Sequence, residues 1–561
     1  MFRTNTQTAS VLIVAITMAA SAIAAPAIGH KKGNPMSAEE TTFVELRKKA
    51  AHRKRRIILN NDGGDGLAKK VAGDSSGLDH FLKQRTTALV GSQVDTIFYC
   101  TGWAFGSMLH RTKVAENILL RPGAGYQDGV LRDLLDQGTD SLQVMVEFCR
   151  KNKLEVFWSM RMNDTHDAKN PLLRATMKAE HPEYLIGGGK KPKYGQWTAV
   201  DFGNADVREL VYRYIEEVCT NYDVDGVEMD FFRHPVLFKS HAFGGVASDE
   251  ERALLADLIR RIREMTDAIG RKRGKPILLA TRVPDSVEFC RTIGIDLEGW
   301  LRDGLVDMLI TGAYFRLNPW EYSVELGHRY GVPVYPSLDN PVGVVDPKIP
   351  EREFSLNDKL RWVSATKECP VDAKRRSMAS WRGRAARAFD AGADGIYLFN
   401  MFTPTHHMLW QIGDREYLKT ASKLYVLHWR GTRQPPSNYM TKGNMLYHEL
   451  PLNPMFPLEI REKTLTVNFP IGDDLSGAQP AAIAEFWVQP ATCHESVSVT
   501  CNGKPLTGGT STGERLRFAL PSASAKQGKN VFTLSRAPGP EAGKVFLRDI
   551  ALEITYPAAK K

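Results

Sequence analysis

Seven cysteines in 561 residues, none in a Cys-x-x-Cys spacing, leave this sequence without the marks of a zinc site or a redox pair. Cys100, Cys149 and Cys219 stand in apolar strand or helix contexts and read as core residues. Cys493 and Cys501 are close enough in sequence to permit a disulfide in an exported protein. Long apolar runs are equally scarce. After Pro26 no segment approaches the roughly 20 apolar residues of a spanning helix, so no stable membrane span is expected. His166 and His234 are not in a His-Glu-x-x-His spacing, and the glycines of Asn60–Gly66 lack the dinucleotide pattern. There is no long internal repeat, which argues against a solenoid. These absences call for no cofactor and no metal.

The composition is that of an ordinary globular chain, 43% apolar and 25% charged. Residues 1–25 read as a secretory leader. Arg3 gives the positive end, Val11–Ala20 the apolar core, and Ala22-Ile-Ala24 a small-x-small cleavage site. The expected location is secreted or periplasmic. Residues 26–50 read as a polar lead-in. The net charge of +10 is locally concentrated, above all in Arg47–Arg56, and reads as solvated surface. It admits an anionic polymer as partner and gives no specific reason to expect nucleic acid.

Eight short apolar runs follow at helix-spaced intervals: Arg56–Asn60, Val94–Cys100, Leu154–Met160, Gly226–Asp230, Pro276–Thr281, Val306–Thr311, Val332–Tyr335 and Gly395–Phe399. Short, near-continuous β-prone runs mark strands buried on both faces. Between them lie helical patterns over 142–152, 206–219, 249–269 with Gly270 as a C-cap, and 382–391. Alternating strands and helices predict an α/β chain whose residues 51–430 form a (β/α)8 TIM barrel, with a doubly wound open sheet as the competitor. Past the breaker-rich Arg433–Asn438 the pattern changes to short alternating strands, with Asn502-Gly503 as a hairpin signal. Residues 436–561 are expected to form a β-sandwich accessory domain.

The chemistry concentrates at the strand ends. The fourth run reads Asp225-Gly-Val-Glu228-Met-Asp230-Phe-Phe-Arg233-His234-Pro235. Side chains alternate along a strand, so Glu228 and Asp230 share one face, opposite Val227 and Met229. With the apolar pair on the helical layer, both acids point into the barrel, where they need partners. Arg161, Arg233 and Arg282 are the candidates. The other strand ends supply Asn60, Asn61 and Asp62; Thr101 and Trp103; Asn163, Asp164 and His166; Asp285; Tyr314 and Arg316; Asp339 and Asn340; and Asn400. In a barrel these ends form one polar basin. Trp103, Trp197 and Trp320, set in polar loops, are the aromatic platforms on which a sugar ring would stack. Glycoside cleavage needs one acid for the departing oxygen and a second carboxylate as nucleophile or base. Asp230 is the preferred nucleophile, and the acid is open among Glu228, Asp285 and Asp339. Asn61, Asp62, Trp103, Arg161, Asn163, Trp197, Arg233, His234, Arg282, Tyr314 and Asn400 are the candidate substrate contacts.

The fourth run resembles the motif Asp-Gly-Ile-x-x-Asp-x-x-Arg-x-Pro of glycosyl-hydrolase-like family 10 and related bacterial barrel proteins. Asp225, Gly226, Asp230, Arg233 and Pro235 match it. Gly392-Ala-Asp-Gly395-Ile-Tyr-Leu-Phe-Asn400 is similar to the eighth-strand end of such proteins. The resemblance spans roughly residues 55–410 and departs from the pattern at Glu228 and at Asn60-Asn-Asp-Gly63. It implies a secreted or envelope glycoside hydrolase with Asp230 as the strand-four acid. The expected function is therefore an exported glycosidase acting on a carbohydrate polymer. A non-catalytic glycan-binding barrel and a metal-dependent ester hydrolase are the alternatives.

Overall fold

A computed structural model of the chain describes residues 38–67, 77–121, 129–188, 190–312, 316–338, 377–426, 458–460, 464–475, 480–521, 523–537 and 544–557. Its first part is built on eight parallel strands: β1 (Ile57–Asn61), β2 (Val94–Cys100), β3 (Glu155–Arg161), β4 (Gly226–Asp230), β5 (Leu278–Val283), β6 (Met308–Thr311), β7 (Val334–Pro336) and β8 (Ile396–Leu398). They pair in the order β7-β6-β5-β4-β3-β2-β1-β8. A parallel bridge from Ser337 to Tyr397 joins the two ends, with Leu338 N donating to Tyr397 O at 3.0 Å. The sheet therefore closes into the barrel, and the open-sheet alternative falls.

The barrel interior is a packed core of its own. Ile58, Phe98, Phe157, Leu278, Ala280, Met308, Ile310, Tyr335 and Tyr397 fill it, with Phe98 stacked on Phe157 at 4.5 Å between centroids. Gly226 makes room for this pair, since a Cβ there would lie 2.2 Å from Phe157 Cε1. At the N-terminal end, Arg55 donates to Glu155 at 2.6 and 2.8 Å, and Thr96 Oγ1 donates to the same carboxylate at 2.8 Å. Arg55 does not touch solvent. The basic run is thus not simply a solvated surface. Arg47 is also buried, paired with Asp267 at 2.6 Å and Asp307 at 3.2 Å. The end of the expected polar lead-in is helix α1 (Ala38–Ala51), which buries Phe43.

The outer layer includes α2 (Ser141–Lys151), α3 (Ala205–Asn221), α4 (Asp249–Lys272), α5 (Trp320–Arg329) and α6 (Met378–Asp390). Their starts follow capping chemistry. Asp140 accepts from Leu142 N and Gln143 N, and Ser248 with Glu251 forms a capping box. Gly270 does not end α4. It lies inside the helix, where a Cβ would meet Phe43 at 2.9 Å, and the left-handed turn comes at Gly274, φ +67°. The glycine serves the docking of α1 rather than a cap.

The C-terminal part consists of two antiparallel sheets. One runs β9 (Lys423–Val426), β16 (Val545–Thr555), β12 (Ala481–Gln489), β14 (Arg515–Ala519), with β10 (Leu458–Ile460) also on β16. The other runs β11 (Leu465–Ile471), β15 (Gly528–Arg536), β13 (Val497–Cys501). Phe486 of the first packs edge-on against Phe532 of the second at 5.2 Å, the centre of a sandwich core. Asn502 and Gly503 take positive φ of 49° and 80° between β13 and Lys504–Pro505, as a type I′ hairpin requires. Cys493 and Cys501 are both free thiols, so the permitted disulfide is not formed. The Arg433–Asn438 junction lies outside the described residues. β9 precedes it yet pairs with β16, so the sandwich sheet starts on the barrel side of that junction. Among the described residues no helix is long and apolar enough to cross a membrane.

Candidate active site at the barrel mouth

Strand register stacks the polar interior in two layers. In the lower, Ser159 of β3 and Ala280 of β5 flank Glu228; in the upper, Arg161 and Arg282 flank Asp230. Three adjacent strands therefore present cation, anion, cation at the C-terminal rim. Asp230 Oδ2 accepts from Arg282 Nη2 at 2.5 Å. Its Oδ1 accepts from the backbone N–H groups of Phe232 and Arg233, both at 3.0 Å. The carboxylate thus shapes the turn that carries Arg233. Arg282 stacks on Phe399 at 4.0 Å to the ring centroid.

Glu228 sits one layer deeper, fully buried. Its Oε1 accepts from Tyr397 OH at 2.6 Å, and its Oε2 from Asn60 Nδ2 at 3.2 Å and from the Ser159 hydroxyl. Arg282 Nε lies 3.9 Å from Oε1. Burial, and then the neighbouring Asp230 charge, push the Glu228 carboxyl up to about 7. Burial and Glu228 together hold the Tyr397 phenol well above its ordinary value, so it remains a donor.

A second polar group lies beside this column. Arg161 Nη1 donates to Asp164 Oδ2 at 3.1 Å, and Asp164 Oδ1 bonds His166 Nδ1 at 2.6 Å. Burial would raise the Asp164 carboxyl, but His166, Arg161 and His234 outweigh it and hold it well below the usual carboxylate range. Arg233 Nη2 approaches His166 Nε2 at 2.9 Å. His234 accepts from Thr165 N at 3.3 Å, and desolvation keeps its imidazole well below its ordinary value. From the end of β1, Asp62 accepts from Arg85 at 2.6 Å and from Gly64 N at 2.9 Å. Trp103 Nε1 donates to Asp62 O at 3.0 Å, which fixes a part-buried ring at the same rim.

Other expected contacts have their polar atoms engaged elsewhere. Asn163 donates to Val200 O and Val236 O and accepts from Val200 N, stapling two loops. Asp285 accepts from Leu317 N and Asn318 N at 2.8–3.0 Å, anchoring the segment after β6. Burial pushes its carboxyl up to about 6. Asn61 donates to Asp65 at 2.8 Å and closes an Asx turn onto Gly63 N. Trp320 is buried in the outer core, and Trp197 lies beneath the Arg174 guanidinium at 4.7 Å. Asn400 adopts φ +51° just past β8. Tyr314 and Asp339 lie outside the described residues.

Ser159, Tyr397 and Phe399 belong to the site although the strand-end reading does not single them out. The period-two alternation carries the signal: Tyr397 and Phe399 share a face of β8, and Ser159 and Arg161 a face of β3. Among the described residues, no three His, Cys, Asp or Glu side chains gather as a metal site.

No protein-family model matches the chain. It is 29% identical over 133 residues to Glycosyl hydrolase YngK of Bacillus subtilis (strain 168), which is 23% of this chain and 24% of that protein. The match thus spans about a quarter of that curated relative. Among solved structures, the chain is similar to alpha-L-fucosidase isoenzyme 2 from Paenibacillus thiaminolyticus, with TM-score 0.38, 13% identity, 65% of this chain and 49% of that one. It is also similar to a glycoside hydrolase family 18 N-acetylglucosaminidase from Paenibacillus barengoltzii, with TM-score 0.35, 13% identity, and coverage of 63% and 98%. Likenesses this distant carry no argument about the chemistry.

Proposed function

We propose that this chain is a glycoside hydrolase whose reacting carboxylate is Asp230. The observation that carries the reading is the upper layer itself. A carboxylate at the C-terminal end of the fourth strand of a closed barrel is flanked in register by Arg161 and Arg282. The similarity to a protein named a glycosyl hydrolase supports the reaction class. The strand-four motif supports the finer placement near glycosyl-hydrolase-like family 10, and the leader over residues 1–25 supports export. Glu228 lies a layer below the rim and Asp285 holds the 317–318 segment, so Asp339, which follows β7 in the sequence, is our candidate for the second acid. The substrate is a carbohydrate polymer, with a partly exposed Trp103 available as a stacking platform.

One observation favours a second reading. Both oxygens of Asp230 are engaged within the protein, as suits a barrel that binds glycan without cleaving it. The test is product release from a panel of neutral and anionic polysaccharides, read by mass spectrometry. The folded Asp230→Asn protein is expected to lose turnover by at least about 10²-fold. Full activity in that variant sinks the mechanism, and glycan binding with no product from the natural protein establishes the second reading.

A further inference from the structure

Glu228 carries more than its place in the packing. Each donor on its carboxylate comes from a different strand: Tyr397 from β8, Ser159 from β3 and Asn60 from β1. None of the three is charged. Of the charged groups facing it, Asp230 on its own strand repels its charge, and Arg282 from β5 is the cation that compensates it. Arg161 stands on the far side of Asp230 in the upper layer. Arg282 is therefore shared, with Nη2 on Asp230 Oδ2 at 2.5 Å and Nε 3.9 Å from Glu228 Oε1.

The site is also built to hold the proton. Asn60 Oδ1 is buried and makes no hydrogen bond among the described residues. Turning the Asn60 amide over places that acceptor towards Glu228 Oε2, where a carboxylic acid O–H would donate to it. The hydroxyls of Ser159 and Tyr397 rotate to suit either state. The Glu228 carboxyl thus has a hydrogen-bond partner at each oxygen in either protonation state.

We infer that Glu228 is a positioning residue, whose proton determines how firmly Arg282 holds the Asp230 carboxylate. With the proton on, Glu228 makes no charge demand on Arg282, and the guanidinium belongs to Asp230. With the proton off, both carboxylates draw on Arg282, and its guanidinium is pulled inward. The exchange should occur near neutral pH, where burial and the Asp230 charge place the Glu228 carboxyl. This rests on Asp230 being the reacting group.

Two measurements test it on the full chain. Turnover of the natural protein is expected to fall about tenfold per pH unit above about 7, the slope of a single deprotonation. Glu228→Gln keeps a neutral group of the same shape and should lose that alkaline limb, whereas Glu228→Leu should lower turnover at every pH. The same limb persisting in Glu228→Gln overturns the inference. The second measurement needs no activity. Infrared titration should show a protonated-carboxyl band that vanishes through the same pH range and is missing in Glu228→Gln. The carboxylate band lost in Asp230→Asn should shift with the same midpoint. An unmoved Asp230 band, or the absence of a band titrating near 7 from the difference between the natural protein and Glu228→Gln, overturns the inference. If no glycan is cleaved, the proposed function fails while the infrared titration still decides the coupling.

Discussion

Arg282 Nη2 donates to Asp230 Oδ2 at 2.5 Å in a layer where both side chains are buried. A buried carboxylate is tolerable there only because a guanidinium faces it. Arg282→Met should therefore cost about 3–5 kcal/mol, since it takes from the buried Asp230 the guanidinium bonded to it and leaves only the flanking Arg161. Adding Asp230→Asn removes the stranded charge and should recover part of that loss. Urea denaturation of the two single variants and the double gives the coupling directly. Additive losses would show that the pair does not interact in the folded state.

The barrel was legible because strands buried on both faces keep an unbroken apolar run, and because Glu228 and Asp230 keep the period of the strand between Val227 and Met229. The sandwich was legible from its alternation and from Asn502-Gly503. The charges were harder. Arg47 and Arg55 sit in a run that looks like solvated surface, yet their partners are Asp267, Asp307 and Glu155, more than 90 positions away. Asn163 and Asp285 have the residue type and strand-end position of ligand contacts, and both are engaged with backbone. A sequence shows which polar atoms stand near a rim. It does not show which of their lone pairs and protons are already satisfied.

Asn400 illustrates the difference, because its backbone accounts for its presence as well as any ligand would. At φ +51° it occupies the left-handed region, which asparagine and glycine tolerate and β-branched residues do not. Asn400→Gly should keep stability to within about 0.5 kcal/mol, while Asn400→Val should lose about 1–3 kcal/mol. Thermal melts of the two variants check this. Equal losses would mean that the side chain, not the dihedral, holds the turn.

Asp285 gives a pH dependence of opposite sign to an ordinary surface carboxylate. Burial raises it from an unfolded value of 3.8 to about 6, so between those values the folded chain holds a proton that the unfolded chain has released. Stability from this group is complete below the lower value, declines as pH rises through the window, and is flat above about 6. The decline is on the order of 2–3 kcal/mol. Asp285→Asn should gain about that much relative to the natural protein when urea midpoints at about pH 7 are compared with those at about pH 4. A constant difference between the two proteins across that range would rule out the protonated state.

A buried ion pair lies where the barrel portion passes into the sandwich sheet. Lys423 Nζ lies 2.9 Å from Asp473 Oδ1 and also donates to Ala421 O at 2.7 Å, at the end of the barrel portion. Asp473 further accepts from Tyr425 OH and, at 2.6 Å, from Tyr556 OH. The pair thus ties the start of β9 and the turn before it to the segment after β11, with Tyr425 and Tyr556 supplied by the neighbouring strands β9 and β16. Close by, the backbone seals against α6, where Gly383 and Gly472 bring chains too near for a Cβ, at 2.3 and 2.6 Å from Leu424 O and Ala386 O. So tight a contact should make barrel and sandwich unfold together, in a single calorimetric transition. Asp473→Ala strands the Lys423 ammonium in a buried site, at a cost of about 3–5 kcal/mol. That loss falls on the joint and the sandwich sheet, not on the barrel core built around Phe98 and Phe157. The variant should therefore show two transitions, the earlier one accompanied by faster amide exchange in β9, β12 and β16. A single transition shifted as a whole would mean that the joint carries no more than its share of the global stability.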